Sequence, residues 1–242
     1  MNEPRRNYGG SVAQTGGVAI DQGLRQYMLG VYNYMALGIA ATGVFSMLIS
    51  SNVELMRLIA GTPLKWVGFI GIIGIGMMAP KIIFSGSKVA AHAMFWTYAA
   101  LWGLMIAPML YAFTQAGAAI EIYRAFFITA SVFGALSLWG YTTKKDLSGM
   151  AVFLGMAGIG LLIAIVVNAL IFKSTMGSLA ISSLVVVFVA GVTAYETQQI
   201  KSMYREGSSM NDRAAIFGAF ALYGSFVTLF VHILNILGIM RD

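Results

Sequence analysis

Cysteine is absent from this chain of 242 residues, and histidine occurs only twice, as His92 and His232. The absence of cysteine excludes disulfide bonds and thiol chemistry, and two histidines are too few for a metal site built from histidine side chains. The motifs of zinc proteases, redox dithiols, serine hydrolases and phosphate-binding loops are also missing. We therefore expect a protein that is not an enzyme and that has no resident cofactor.

Charged residues are scarce as well, because they make up 10% of the chain, whereas hydrophobic residues make up 59%. Soluble domains carry about a quarter charged residues, so this chain has too few to give a folded domain a polar surface. The composition predicts an integral membrane protein whose main partner is the lipid bilayer. The formal charge is +6, but the basic residues flank apolar runs, which indicates membrane topology and contact with anionic lipid rather than nucleic-acid binding.

Apolar segments long enough to cross a bilayer occur seven times along the chain. They cover residues 27–50, 64–84, 91–113, 123–143, 149–172, 177–198 and 214–238. The pattern predicts an all-α membrane protein, a bundle of seven transmembrane helices formed by residues 26–240. Residues 1–25 are polar and rich in glycine, and we expect them to form a cytosolic tail ahead of the bundle.

Lysine and arginine residues predict the orientation of this bundle. The larger group lies in the tail and in the second, fourth and sixth connections: Arg5, Arg6, Arg25, Lys81, Lys88, Lys144, Lys145, Lys201, Arg205 and Arg213. The smaller group lies on the alternate side: Arg57, Lys65, Arg124, Lys173 and Arg241. Because basic loops tend to remain in the cytosol, we expect a cytosolic N-terminus and a C-terminus on the outside.

Glu196 is the only acidic side chain inside one of the predicted apolar segments, where it lies near the end of the sixth. Inserting a carboxylate into a membrane costs roughly 3 kcal/mol, which favours a functional role. Removal from water favours the protonated form of a carboxyl group, so Glu196 is a candidate pH sensor or gate. The structural alternatives are a hydrogen bond to a neighbouring helix or a side chain that reaches toward water. Cationic partners of Glu196 are expected from the same edge: Lys81, Lys88, Lys144, Lys145 or Lys201.

The seventh segment carries four polar residues at helical spacing, and they form one stripe: Ser225, Thr228, His232 and Asn235. We expect the stripe to face the interior of the bundle and, together with Asn168 of the fifth segment, to form a candidate polar pathway. Serine and threonine often bond the carbonyl group four residues earlier, and a lone histidine near a helix end is more often a hydrogen-bonding group than a proton carrier. Asn168 by itself indicates a hydrogen bond between helices.

Glycine residues cluster in the second and fifth segments: Gly68, Gly71, Gly74, Gly76, Gly155, Gly158 and Gly160. Within a bilayer, helices associate through close approach of their backbones, which small residues permit. These clusters therefore predict tight packing of the two helices against their neighbours.

Four stretches of sequence are informative when they are taken together. The longest, Phe126–Ser148, reads FFITASVFGALSLWGYTTKKDLS, and the others are Val31–Met35 (VYNYM), Val167–Asn168 and Thr193–Lys201 (TAYETQQIK). They resemble the Bax inhibitor-1 family, and in particular its bacterial YccA/YetJ-type branch, and the resemblance extends over roughly residues 22–238. It implies a seven-helix fold in which the seventh helix is central, and a pH-sensitive calcium leak across the membrane.

The same resemblance implies a sensor made of two aspartates, one from each of the last two helices. The matching positions are Glu196 in Tyr195–Gln198 and Ser225 in Leu222–Phe226. This chain therefore keeps one carboxyl group and has a hydroxyl group in place of the other. With a single titrating group, we expect a shallower pH response than that of a coupled pair. We also expect weaker binding of calcium, for which Glu196 is a transient ligand.

The function that these observations predict is a passive cation leak, with calcium as the cation, in a bacterial inner membrane. Glu196 and Ser225 are its expected gate. The alternative is a non-conducting binding partner of a membrane-bound protease in membrane-protein quality control, in which Glu196 is a structural lock. A proton-coupled carrier is a weaker third alternative, because only Glu196 and His232 are available as buried titratable groups on a path.

Overall fold

Eight α-helices account for most of the chain in the computed structural model, which describes the backbone of residues 11–241 and the side chains of residues 22–59 and 61–241. The helices are α1 (Ser11–Ser50), α2 (Val53–Gly61), α3 (Leu64–Ser85), α4 (Lys88–Gln115), α5 (Ala119–Thr142), α6 (Ala151–Val167), α7 (Thr175–Met203) and α8 (Asn211–Arg241). A 3₁₀ turn at Ser148–Met150 leads into α6, and a π-helical turn at Asn168–Phe172 follows it. The described residues contain no β-strand.

Seven of these helices are long and apolar enough to cross a membrane, so the predicted seven-span fold is confirmed. The spans are α1 from Gln22 onward, α3, α4, α5, α6 with its flanking turns, α7 and α8. Six of them agree with the predicted segments to within a few residues at each end. Helix α1 instead begins at Ser11, well before the predicted start at residue 27, whereas residues 1–10 of the predicted tail lie outside the described residues.

Helix α2 was not predicted, because its nine residues are too few for a span. It is amphipathic, and Met56 and Ile59 on one side are buried against Ile49 of α1 and Ala107 of α4. Asn52 caps its start by accepting a hydrogen bond from the Leu55 backbone N–H. The short helix thus covers one end of the bundle.

The two ends of the bundle differ in their basic residues. At the end where the α1 span begins and where α3, α5 and α7 finish, the described residues of the larger basic group lie in or next to the connections, and we call it the basic end: Arg25, Lys81, Lys88, Lys144, Lys145, Lys201, Arg205 and Arg213. We call the opposite end, where α1 finishes, the α2 end.

Helix α8 occupies the centre of the bundle, as the resemblance implied. It packs against α1, α3, α4, α5 and α7. Buried residues make up 61% of its apolar window, against 6% for α6, which packs against α7 at the periphery. The core of the protein is therefore built around α8.

Close helix packing depends on a glycine outside the predicted clusters. A Cβ atom at Gly140 of α5 would lie 2.4 Å from the Ala194 carbonyl oxygen of α7, so only glycine fits at this crossing. Among the predicted positions, an added Cβ at Gly68 would meet the Met105 side chain, and one at Gly158 would approach Phe188, as close packing requires. The prediction was wrong for four others, since an added Cβ would find no atom within 4 Å: Gly74, Gly76, Gly155 and Gly160. Two of these lie on α6, whose exposed sides have no neighbouring span to approach.

Candidate functional site

Glu196 of α7 and Ser225 of α8 are in direct contact, with Ser225 Oγ donating a 2.6 Å hydrogen bond to Glu196 Oε2. Glu196 lies about 10 Å before the end of α7 at Met203, whereas Ser225 lies about 21 Å after the start of α8 at Asn211. The two side chains nevertheless lie at the same depth in the bundle, because the first residues of α8 extend past the last residues of α7 at the basic end. The pair matched by resemblance is thus a physical pair, in the half of the bundle nearer the basic end.

No cationic side chain within residues 22–59 and 61–241 pairs with Glu196. The ion pairs in this part of the chain are Lys88–Asp212 and Arg124–Glu121. The expected partners therefore do not pair with Glu196: Lys88 binds Asp212, and Lys201 donates to the Tyr141 carbonyl oxygen. The structure accordingly places one carboxyl group between helices with a hydroxyl group as its hydrogen-bonding partner.

The phenol of Tyr98 in α4 also lies close to this pair. A Cβ at Gly224, next to Ser225, would lie 3.2 Å from the Tyr98 hydroxyl oxygen. Tyrosine hydroxyl groups stay protonated in the neutral pH range. The site therefore contains one carboxyl group, one hydroxyl group and a neighbouring phenol.

A second polar cluster joins the same two helices nearer the α2 end. Ser182 of α7 accepts a 2.8 Å hydrogen bond from Asn235 Nδ2, and its Oγ lies 3.0 Å from His232 Nδ1. His232 and Asn235 were predicted to face inward and do so, but Ser182, only 2% exposed, was not singled out. The sequence did contain a feature that could have identified Ser182, because this hydroxyl residue lies two heptads before Glu196 and so on the same face of α7.

The predicted stripe on α8 is interrupted rather than continuous. Thr228 donates to the Gly224 carbonyl oxygen of its own helix, as serine and threonine in membrane helices often do. On α7, Ser182, Val189 and Glu196 recur at seven-residue spacing and so share one face. Val189, which is 5% exposed, therefore separates the two polar clusters, whose α7 members are about 21 Å apart along the helix.

Asn168 lies away from this interface. It begins the π-helical turn after α6, where its Nδ2 donates to the Ser174 carbonyl oxygen and to Ser178 Oγ, and its Oδ1 accepts from the Ser174 N–H. The predicted hydrogen bond between helices is confirmed, since Ser178 belongs to α7. The contact closes the α6–α7 turn at the α2 end, about 27 Å along α7 from Glu196.

Another polar chain lies on the side of α7 that faces α5. Tyr32 of α1 is hydrogen-bonded to Ser137 of α5 at 2.7 Å, and Ser137 is hydrogen-bonded to Thr197 of α7 at 2.9 Å. Thr197 also donates to the Thr193 carbonyl oxygen. This chain was not predicted, and it ties three helices together one residue away from Glu196.

The two longest stretches that carry the family resemblance meet at the basic end. Gln198 Nε2 donates to the Lys145 carbonyl oxygen, and Gln198 Oε1 accepts from the Leu147 N–H, both at 2.8 Å. In the same connection the Ser148 N–H donates to Asp146 Oδ1 and lowers the pKa of that carboxyl below its usual value. The α5–α6 connection is thereby fastened to the end of α7 that carries Glu196.

Besides Glu196, two further acids fall inside the spans as the structure bounds them, namely Asp212 in the first turn of α8 and Glu121. Helix α5 begins at Ala119, earlier than predicted, so Glu121 lies in its first turn. It is 8% exposed and accepts a 2.7 Å hydrogen bond from Arg124 Nη1. Glu121 is thus a paired acid near the α2 end, unlike Glu196. The described residues contain no group of three or more histidine, cysteine or acidic side chains that could hold a metal ion.

Comparison with known proteins finds similar chains in several bacteria. Residues 24–242 match the family described as "Inhibitor of apoptosis-promoting Bax1". A Rickettsia prowazekii protein is 38% identical over 224 residues, which are 92% of this chain and 93% of that protein. The Escherichia coli K12 protein named "Inner membrane protein YbhL" is 34% identical over 229 residues, covering 90% and 94% of the two chains. A Caulobacter vibrioides protein is 36% identical over the full length of both.

Proposed function

The chain belongs to the Bax inhibitor-1 family of membrane proteins, and we propose that it is a pH-controlled leak for a cation, with calcium as the cation. The membrane it occupies is an inner membrane, as the name of the Escherichia coli relative says of that protein. The basic end faces the cytosol, which puts the N-terminus inside and the C-terminus outside. The protein carries out no catalysis in this proposal.

The observation that carries the proposal is the contact between Ser225 and Glu196, which has no cationic partner among the described side chains. A buried carboxylate that lacks a counter-charge is unfavourable, and one hydroxyl donor offsets only part of that cost. The contact is therefore stable when Glu196 is protonated and strained when it is ionised. Ionisation favours a second arrangement in which water reaches the carboxylate between α7 and α8.

The direction of the pH response follows from this difference. The closed arrangement holds the Glu196 proton more tightly than the hydrated one, so raising the pH shifts the population toward the hydrated, conducting state. One proton controls the change, and flux can therefore rise by at most about tenfold per pH unit. The ionised carboxylate also supplies an oxygen ligand of the kind that calcium prefers.

The second barrier on this route is apolar. Val189 separates the Glu196–Ser225 pair from the cluster of Ser182, His232 and Asn235, and in the closed state an ion meets hydrocarbon there. Opening requires α7 to move relative to α8 so that water bridges the two clusters. A ligand or proton can drive that movement only if it binds the two states with different affinity. In this proposal the proton bound by Glu196 has that role.

The experiment is calcium flux into liposomes that carry the purified full chain, scanned from about pH 5 to about pH 8. We expect flux that rises with pH, and a low, flat profile for Glu196→Gln, which is neutral at every pH. Glu206→Gln is the matched control, because Glu206 is an exposed acid beyond the end of α7 at the same end of the bundle. Flux no greater than in protein-free liposomes at every pH contradicts the proposal.

A second candidate function is a non-conducting partner of a membrane-bound protease. The peripheral position of α6 supports it, because this helix has few buried residues and leaves open space at Gly155 and Gly160 where another transmembrane helix could pack. Photo-crosslinkers at Ile159 and Ile163 of α6, both more than half exposed, test it in native membranes. A specific protease adduct together with absent flux supports this function, and an absence of adducts contradicts it.

A further inference from the structure

A groove of about 1070 Å³ runs along the outside of the bundle between α1 and α5. Both helices pack against α8, which forms the floor of the groove with Phe226, Val227 and Phe230. The two walls are joined by the Tyr32–Ser137 hydrogen bond. The α8 residues of this floor are different from Ser225, which bonds Glu196.

The length of the groove matches the membrane. Its lining residues on α1 extend from Arg25 to Met47, about 33 Å at 1.5 Å per residue, and the hydrocarbon core of a bilayer is about 30 Å thick. Glycines widen both walls, since a Cβ at Gly43 of α1 or Gly134 of α5 would meet no atom within 4 Å. The groove is therefore an elongated slot parallel to the spans.

The interior of the slot offers hydrocarbon rather than hydrogen-bonding groups. The Thr42 and Ser46 hydroxyl groups in its wall donate to the Ala99 and Gly103 carbonyl oxygens, so their protons are used within the protein. Aromatic side chains line much of the remainder, among them Phe126 and Phe133 of α5. An acyl chain is complementary to this part of the slot.

The charged rim lies at the basic end. Arg25 is the charged residue that lines the groove. Tyr141 also lines it, and the Lys201 ammonium group lies over the Tyr141 ring, 4.8 Å from the ring centroid. The described residues that line the groove include no acidic side chain. A positive rim above an aliphatic slot is complementary to an anionic headgroup that carries acyl chains.

We propose that this groove binds an anionic phospholipid from the leaflet at the basic end, with its phosphate at Arg25 and an acyl chain along α8. One leaflet contributes about 15 Å of hydrocarbon, and Gly134 lies about 10 Å inward from Tyr141 along α5. The acyl chain therefore passes Gly134. Bulk added at that position blocks the chain, and loss of the charge at Arg25 removes the preference for an anionic headgroup.

The test is native mass spectrometry of the full chain, eluted from detergent that contains phosphatidylglycerol or phosphatidylcholine at matched concentrations. The wild-type chain is expected to retain one phosphatidylglycerol in preference to phosphatidylcholine. Gly134→Trp is expected to weaken retention about tenfold, whereas Gly155→Trp, on the exposed side of α6, leaves it unchanged. Arg25→Gln is expected to weaken retention of phosphatidylglycerol about fivefold, and Arg205→Gln, in the exposed α7–α8 connection, serves as its control.

Equal retention of the two lipids by the wild-type chain overturns the proposal, and so does equal loss in Gly134→Trp and Gly155→Trp. Size-exclusion elution and helical circular dichroism establish that each variant is folded. Arg25 is exposed and its replacement leaves the packing of α1 intact, so the headgroup half of the test stands even where the tryptophan variant fails to fold.

Discussion

Ser225 Oγ donates a 2.6 Å hydrogen bond to Glu196 Oε2 across the α7–α8 interface, and no cationic side chain among the described residues pairs with that carboxyl group. Helix α8 lies at the centre of the bundle, so a change in this contact alters the position of a helix that five other spans hold. The pair therefore joins a titratable group to the core of the fold.

Replacing Ser225 by alanine removes the hydroxyl group that bonds Glu196. Hydrogen bonds between membrane helices are worth about 0.6 kcal/mol on average and up to about 1.7 kcal/mol, so we expect a loss of about 1 kcal/mol in the free energy of unfolding. The weakened closed state should also conduct more calcium at each pH. Thr228→Val is the control, because the Thr228 hydroxyl group bonds its own helix. Equal free energies of unfolding and equal calcium flux in the two variants would show that the Glu196 contact has no energetic role.

Replacing Ser225 by aspartate places a second carboxyl group against Glu196. Two carboxyl groups at hydrogen-bonding distance share a proton and titrate as a coupled pair. The second carboxylate makes loss of the shared proton harder, so we expect the rise in calcium flux to move to higher pH by about one unit or more. The measurement is the pH midpoint of the flux, and a midpoint unchanged from that of the wild-type chain contradicts the assignment of position 225 to the gate.

Val189→Ser tests the apolar barrier between the two polar clusters. The serine hydroxyl group can bond the carbonyl group four residues earlier, so the cost to folding is small, and the hydroxyl oxygen lets water reach from one cluster to the other. We expect calcium flux to rise by about tenfold at low pH, where the wild-type chain is closed, which corresponds to about 1.4 kcal/mol of barrier. Val187→Ser is the control, because Val187 is 72% exposed toward lipid. A comparable rise in the control would locate the leak elsewhere.

Gly140→Ala tests the crossing of α5 and α7 beside the site. The added methyl group meets the Ala194 carbonyl oxygen at 2.4 Å, so the two helices have to move apart, which we expect to cost about 1–3 kcal/mol of stability. The same change at Gly134, where the added group meets nothing, should be neutral or stabilise the helix by up to about 1 kcal/mol. Unfolding in mixed detergent micelles measures both. Equal stability of the two variants would contradict the close approach.

The sequence predicted the spans well, because the thickness of a bilayer sets the length of an apolar segment directly. Helix α2 escaped prediction because it covers the end of the bundle and does not cross the membrane. Helical spacing predicted that Ser225, His232 and Asn235 point inward, but it could not predict which residues of α7 they contact. Those contacts depend on the stagger of α7 against α8, which is set by packing of the whole bundle.

The glycine predictions failed for a related reason. A cluster of small residues shows that a close approach is allowed, but not that a neighbouring span is present to make it. Gly155 and Gly160 face away from the bundle, whereas the single glycine at position 140 meets a carbonyl oxygen of α7. Recognition of that position required knowledge of which helices cross.

The most direct measurement of the central claim combines infrared difference spectroscopy with calcium flux on the same proteoliposomes as the pH is raised. The spectroscopy reports the protonated carboxyl band, and Glu196→Gln identifies the part of that band that belongs to Glu196. We predict that loss of the Glu196 band and the rise in flux have the same midpoint, and that both are absent in Glu196→Gln. A Glu196 band that disappears without any change in flux would contradict the account.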